Sequence, residues 1–220
     1  MMFFRDRKDA GRQLARHLIQ YQDQEPLILA LPRGGVVVGF EISINLKAPL
    51  DVIVARKIGA PGMPEYGIGA IAPGGVLILD ERPIRMLGIP REEIDLIADR
   101  EREEMQRRIE RYRGGRPLPD VRNRTVILVD DGIATGVTAR AAIQAIRQQE
   151  PRQLILASPV CAPDTARLLR AEVDDFVCLE TPPDFRAISL WYDDFRQTSD
   201  EEVVDLLNRS WHGQEQESGQ

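Results

Sequence analysis

The groups best placed to do chemistry lie in one short segment. Val126-Ile127-Leu128-Val129 is a continuous apolar run, and two adjacent carboxylates, Asp130 and Asp131, follow it directly. Gly132, Ile133, Ala134, Thr135, Gly136, Val137 and Thr138 come next, most of them small or hydroxyl-bearing. A buried strand would deliver both acids at its C-terminal edge, where open α/β sheets bind ligands. The residues after the acids would lead into a helix N-terminus, whose amides and positive dipole end favour an anion. Acids placed just before an anion site suit a sugar phosphate. The carboxylates accept hydrogen bonds from vicinal hydroxyls while the loop holds the phosphate. An acid pair alone is equally compatible with a structural or a metal-binding role, so the surrounding pattern is what narrows the chemistry.

A second group of the same kind lies upstream. Pro32-Arg33-Gly34-Gly35 ends the apolar run Leu27–Leu31. Two glycines let a backbone approach an anion closely, and an arginine can grip two phosphate oxygens at once. Taken alone, Arg-Gly-Gly is a turn. Lysine is scarce: Lys8, Lys47 and Lys57 are the only ones among 29 basic residues, which singles out Lys57 beside Arg56. No Ser/His/Asp set competes, because the two histidines, His17 and His212, fall on the opening helix and in the tail. A hydrolase using Asp130 as nucleophile would lack the lysine partner such chemistry needs. Cys161 and Cys178 are too few for a zinc site and sit in or beside apolar runs, as buried free thiols do.

The elements that would position these residues alternate. Asp9–Gln22 has apolar residues at helical spacing, Leu27–Leu31 reads as a buried strand, and Val36–Leu46 as a helix. Asp51–Ala55, Val126–Val129, Leu154–Ser158 and Phe176–Leu179 read as further strands, with helices over 138–149 and after Pro163. Residues 56–75 hold six glycines and three prolines around a short strand at 68–72, a composition typical of a functional or mobile loop. Pro90–Tyr112 reads as one long Arg/Glu-rich helix with a narrow apolar stripe, suited either to a solvated face or to a subunit contact in a homodimer. Ser199-Asp200-Glu201-Glu202 fits a capping box before a last helix, and the polar stretch 211–220 reads as a disordered tail. Strands alternating with helices predict an α/β fold with a doubly wound, mostly parallel sheet in one domain over 1–210. A net charge of −6 argues against non-specific nucleic-acid binding. With no signal peptide and no apolar span of about 18 residues, no membrane role is expected and the location expected is cytoplasmic.

The segment Val126–Thr138 resembles, at nearly every position, the thirteen-residue binding signature of type I phosphoribosyltransferases: four apolar residues, two acids, two variable residues, then small, Thr/Ser, Gly, variable and Thr. The resemblance implies that Asp130 and Asp131 contact the ribose hydroxyls of phosphoribosyl pyrophosphate, and that Ala134, Thr135, Gly136, Val137 and Thr138 surround its 5′-phosphate. It implies that Arg33, Gly34 and Gly35, with Arg56 and Lys57, hold pyrophosphate. Family members often carry a non-proline cis peptide in the first of these loops, here Pro32–Arg33. Arg33 and Lys57 are the implied catalytic residues, and Mg²⁺ the implied cofactor, reached by Asp130 and Asp131 only indirectly, through substrate or water. Residues 57–75 correspond to a flexible catalytic loop, 90–113 to an inserted helix and about 180–198 to a hood. Trp191-Tyr192-Asp193-Asp194-Phe195 also resembles stand-alone bacterial members whose substrate is not established, and the likeness runs from Phe3 to about Leu207.

Phe185, Trp191 and Tyr192 would then form the acceptor hood, because aromatic faces stack on bases; a packed core edge is the other reading of the same residues. Some purine-using members have an acid at the position of Ala134, and adenine-using ones a glutamate at that of Leu31. Neither residue here can transfer a proton. The acceptor expected is therefore an unidentified nitrogen nucleophile. A non-catalytic domain sensing phosphoribosyl pyrophosphate or a nucleotide is the alternative.

Overall fold

The computed structural model describes residues 3–217, with side chains through His212 at the C-terminal end. Asp6 caps the first helix, α1 (Arg7–Leu18), by accepting from the Asp9 amide, and Ala10, Leu14 and Leu18 bury along one side of it. A 3-10 stretch over Ile19–Gln24 leads to β1 (Leu27–Ala30), α2 (Gly34–Leu46) and β2 (Leu50–Val52). The chain then builds an antiparallel unit of β3 (Arg56–Ala60), β4 (Met63–Ala72) and β5 (Val76–Leu79). Two helices follow, α3 (Glu81–Leu87) and α4 (Arg91–Arg113), the former capped by the Asp80 side chain and stopped by Gly88 at φ 61°. The second half runs β6 (Thr125–Val129), α5 (Val137–Arg147), β7 (Gln153–Val160), α6 (Pro163–Arg170), β8 (Asp175–Glu180) and α7 (Asp200–Glu217).

The main sheet has the order β2-β1-β6-β7-β8, and every neighbouring pair is parallel. Its inner strands β1, β6 and β7 carry continuous apolar runs because both faces are covered. Ile28, Ala30, Ile127, Val129, Ile155 and Ala157 pack toward α1, α2 and α7. The alternate residues, including Leu27, Leu29, Val126, Leu128, Leu154 and Leu156, pack toward α5 and α6. This two-residue alternation fixes the register, since a slip of one residue would exchange the two faces. In chain order, the strand sequence is that of a doubly wound sheet whose order reverses between β1 and β6. The crevice at that reversal is where the two sequence-predicted phosphate elements meet.

Two expectations need correction. Residues 56–75, read as a loop with one short strand, form most of the three-stranded antiparallel sheet β3-β4-β5. Its glycines serve strand geometry: a Cβ at Gly59 would lie 2.4 Å from the Pro64 carbonyl oxygen, and one at Gly69 2.4 Å from that of Ile78. Register shifts at Ile58/Gly59 and Gly59/Ala60 then twist the hairpin. The other correction is the tail. The last helix runs on past residue 210, because Trp211 continues the buried line of Val203 and Leu207. Trp211 Nε1 donates to the Leu50 carbonyl at 3.0 Å, and Arg116 lies 4.3 Å above its ring. Residues 218–220 of the predicted tail lie outside the described residues. The serine half of the expected capping box is present, with the Glu202 amide donating to Ser199 Oγ at 3.1 Å.

Candidate functional site

The parallel ladder between β1 and β6 continues one residue past the end of β1, with the Leu31 amide donating to the carbonyl of Val129, the last residue of β6, at 2.8 Å. That bond carries Pro32–Gly35 alongside Asp130 and Asp131. The Pro32–Arg33 peptide is cis. A Cβ at Gly35 would lie 2.9 Å from the Val129 carbonyl oxygen and 3.2 Å from Asp130 Cα. At Gly34 it would fall 1.9 Å from Asp131 Oδ2. Only glycine fits between the turn and the acids, so the first amides of α2 open beside two carboxylates. The Arg33 side chain turns toward the start of α7, where its Nη1 lies 3.8 Å from Asp200 Oδ1. Tyr112 Oη (2.6 Å) and Arg111 (2.7 Å) converge on the same carboxylate from the end of α4.

The loop after the acids is held from below. The Ile133 amide donates to the Val160 carbonyl at 2.9 Å, and Thr165 Oγ1 donates to the Ala134 carbonyl at 2.6 Å. Gly136 takes φ 73° as the N-cap of α5 and contributes no side-chain cap. The first amides of α5, at Val137 and Thr138, therefore lack the usual hydroxyl or carboxylate cap. Beside exposed Thr135, this is a geometry that accepts an anion.

The acids differ in their surroundings. Asp130 is held well above the ordinary carboxylate range, first by burial and then by repulsion from Asp131. Asp131 faces Arg7, whose Nε donates to Oδ2 at 2.6 Å. Tyr192 donates its hydroxyl to the Asp131 carbonyl at 2.6 Å, and burial raises that hydroxyl's pKa, so it stays a donor. Among the described residues, no three His, Cys, Asp or Glu side chains gather to hold a metal. The acid pair therefore fits a cation carried mainly by substrate oxygens and water, as Mg²⁺ commonly is, rather than a cage made by protein.

The remaining expected residues fall elsewhere. Arg56 pairs with Glu101 of α4 at 2.6 Å, and Lys57 Nζ lies 3.2 Å from Glu65 Oε2 across the hairpin. Both line a cavity of about 630 Å³ between the hairpin and α4, together with Pro64, Leu96 and Arg100; neither Asp130, Asp131 nor the 134–138 loop lines it. Trp191 is stacked on Phe3 with ring centroids 5.3 Å apart, and Tyr192 lies between Phe4 (5.4 Å) and Phe195 (5.0 Å). Both are buried, at 5% and 7% exposure, so neither offers a free ring face; half-buried Phe185 packs against the same cluster. Of the two readings of these aromatics, the packed edge is the one the structure shows for Trp191 and Tyr192. Arg7 and Asp200 are the site neighbours that the sequence did not disclose. A polar cavity of about 370 Å³, lined by Arg7, Lys8, Val37, Arg196 and Glu202 among others, opens beside Arg7.

The comparisons with known proteins show the family. The phosphoribosyl transferase domain model matches residues 5–194. Two Mycobacterium tuberculosis sequences, from strains CDC 1551 and H37Rv, are each 43% identical over 210 residues, and their names assign them provisionally to the phosphoribosyl transferases. The match covers 96% of this chain and 47% of each relative, so the chain spans about half the length of those curated relatives. The crystal structure of TT1426 from Thermus thermophilus has a TM-score of 0.79 at 40% identity, over 94% of this chain and 99% of that one. The acid pair, the glycine loop facing it and the open start of α5 thus lie within the matched region, and the chain belongs to the phosphoribosyl transferase domain family.

Proposed function

We propose that this chain binds phosphoribosyl pyrophosphate with Mg²⁺ and transfers the phosphoribosyl group to or from a nitrogen nucleophile. The observation that carries the reading is the meeting of three elements at the sheet reversal: the Gly34-Gly35 amides, the Asp130-Asp131 pair and the open N-terminus of α5. In this reading Asp130 and Asp131 accept the ribose hydroxyls, and the amides of 134–138 hold the 5′-phosphate. Arg33, Gly34 and Gly35 hold the pyrophosphate. Mg²⁺, when bound, neutralises pyrophosphate oxygens and eases their departure. Loss of pyrophosphate leaves positive charge on the sugar, so no covalent protein nucleophile is needed. The chain's own contribution is positioning and electrostatic support. Arg56 and Lys57 join the site when the β3-β4 hairpin closes over the substrate, with water excluded by the same movement. Residues 1–210 act as one unit, with 180–198 as the acceptor side; residues 90–113 brace the hairpin.

The test is a panel of nucleobases and amines incubated with Mg²⁺ and phosphoribosyl pyrophosphate, read as pyrophosphate release. Release that depends on one acceptor supports transfer. Binding by calorimetry with no release from any acceptor supports a sensing domain instead. Absence of both overturns the reading. Among the described residues, no helix is long and apolar enough to cross a membrane.

A further inference from the structure

Arg7 is fixed at three points. Its Nε donates to Asp131 Oδ2 at 2.6 Å, its Nη1 donates to the Arg196 carbonyl at 2.7 Å, and its guanidinium carbon lies 3.9 Å from the centre of the Phe195 ring. The side chain is only 11% exposed. It also sits against the glycine loop, since a Cβ built on Gly34 would lie 2.6 Å from Arg7 Nε. One side chain at the start of α1 therefore touches the second acid, the first residue of α2 and the segment that follows β8. A surface counter-ion would need only the first of these contacts. A planar fork pinned at both ends fixes the direction in which its carboxylate partner points, which a flexible ammonium does not. Tyr192 holds the same residue by its backbone, at the Asp131 carbonyl.

The geometry points to Arg7 as a positioning residue for sugar recognition: by occupying Oδ2 of Asp131, it turns the remaining oxygen toward one hydroxyl of a ribose 5-phosphate group. This inference rests on the reading of Asp130 and Asp131 as the ribose clamp. Arg7 does not act as a movable plug that leaves on binding, because the Arg196 carbonyl and the Phe195 face hold it independently of Asp131. Its effect is therefore on which sugar is accepted, and only secondarily on how tightly any phosphate is held.

The experiment compares binding of ribose 5-phosphate with its 2-deoxy and 3-deoxy analogues, by calorimetry, in the wild-type chain, Arg7→Gln and Arg7→Lys, with melting curves as a control of folding. The wild type is expected to prefer ribose 5-phosphate over the analogue lacking the hydroxyl that faces Asp131 by roughly ten- to a hundredfold, the share of one charge-assisted hydrogen bond. Arg7→Gln is expected to abolish that preference while keeping the preference over the other analogue, and Arg7→Lys to keep part of it. A merely structural role would weaken all three sugars alike. Both ratios unchanged in a folded Arg7→Gln chain would overturn the inference and leave the ribose clamp standing. A wild type that binds none of the three would overturn both. If Arg7→Gln does not fold, Arg7→Lys decides: a reduced ratio supports positioning, and an unchanged one refutes it.

Discussion

The acid pair at the end of β6 and the basic pair at the start of β3 are supported in opposite ways. Asp130 and Asp131 sit at the edge of a parallel sheet covered on both faces, against a glycine turn with no room for a side chain. Their polar neighbours arrive from α1, α2 and the segment after β8, elements far apart in sequence. Arg56 and Lys57 lie on a twisted antiparallel hairpin, paired with Glu101 and Glu65, and the outer half of β4, Met63–Gly67, is exposed. The first region is fixed by packing, so its geometry exists before any ligand arrives. The second is anchored by the strand ladder and by buried Ile58, Ile68 and Ile71, but its outer half is exposed and Lys57 is held there by a screened surface ion pair, which contributes little and exchanges easily. On the proposed function, recognising a sugar phosphate falls to the first support and covering it to the second.

The sharpest way to break this comparison is a methyl group in each region. Gly34→Ala would put a Cβ 1.9 Å from Asp131 Oδ2 and 2.6 Å from Arg7 Nε, forcing the acid aside. Losing the hydrogen bond of a charged acid costs up to about 3 kcal/mol, roughly a hundredfold, and that is the loss expected in affinity for phosphoribosyl pyrophosphate by calorimetry. Gly62→Ala at the hairpin turn meets nothing within 4 Å, but its φ of +72° disfavours any side chain. It is expected to lower stability by about 1–2 kcal/mol in urea melts and to leave affinity unchanged. Equal binding losses in the two variants would show that the acid-pair region is no more preorganised than the hairpin.

Next in size is the effect of charge at Asp130. Its folded-state pKa is raised, chiefly by burial and then by Asp131, so the folded chain keeps a proton that the unfolded chain loses above roughly pH 4. Stability therefore falls as pH rises from the unfolded value through the folded one. Asp130→Asn removes that penalty. The variant should melt higher than the wild type at neutral pH, and the gap should close on acidification below roughly pH 4. Its affinity for phosphoribosyl pyrophosphate should fall by about 0.5–1.5 kcal/mol, the usual share of a hydrogen bond between uncharged partners. Higher stability with weaker binding is the mark of a site built against the preference of the fold. A variant less stable than the wild type at pH 7 would contradict it.

The same contrast explains what could be read from residues alone. The strands of the main sheet were legible because burial on both faces leaves unbroken apolar runs such as Val126–Val129. The site was legible where it is local in sequence: acids, loop and helix start all lie within Val126–Thr138. The hairpin was not, because the glycines that let β3 and β4 pair closely also look like loop composition, and the exposed outer residues give no alternation. Arg7 carries no local signal at all, since it meets Asp131 across 124 residues of chain. Trp211 was lost in a polar tail, although its spacing from Val203 and Leu207 already matches a helix face. Hydrogen exchange should rank the regions in the same order. Amides of β6 and β7 are expected to exchange only through global unfolding, and those of 60–66 orders of magnitude faster, with protection of 60–66 growing on addition of Mg²⁺ and phosphoribosyl pyrophosphate. Equal rates in the free chain would erase the distinction.

The smallest expected effect is at the hairpin's own ion pair, and it separates a lid from an ordinary surface. Glu65 is almost fully exposed and its contact with Lys57 is 3.2 Å, so Glu65→Gln should leave the melting temperature unchanged within error. If Lys57 stays where it is during the reaction, the same substitution should leave turnover unchanged too. If the hairpin closes, Lys57 must leave Glu65 to reach pyrophosphate, and removing the competing carboxylate favours that movement. Turnover with phosphoribosyl pyrophosphate and an active acceptor should then rise modestly or hold, while Lys57→Ala should lower kcat far more than it weakens ground-state binding, because charge on the leaving group develops only in the transition state. The pair of variants matters more than either alone. A neutral Glu65→Gln together with a fully active Lys57→Ala would reduce Lys57 to a surface residue, and leave Arg33 with the Gly34-Gly35 amides to carry the leaving group.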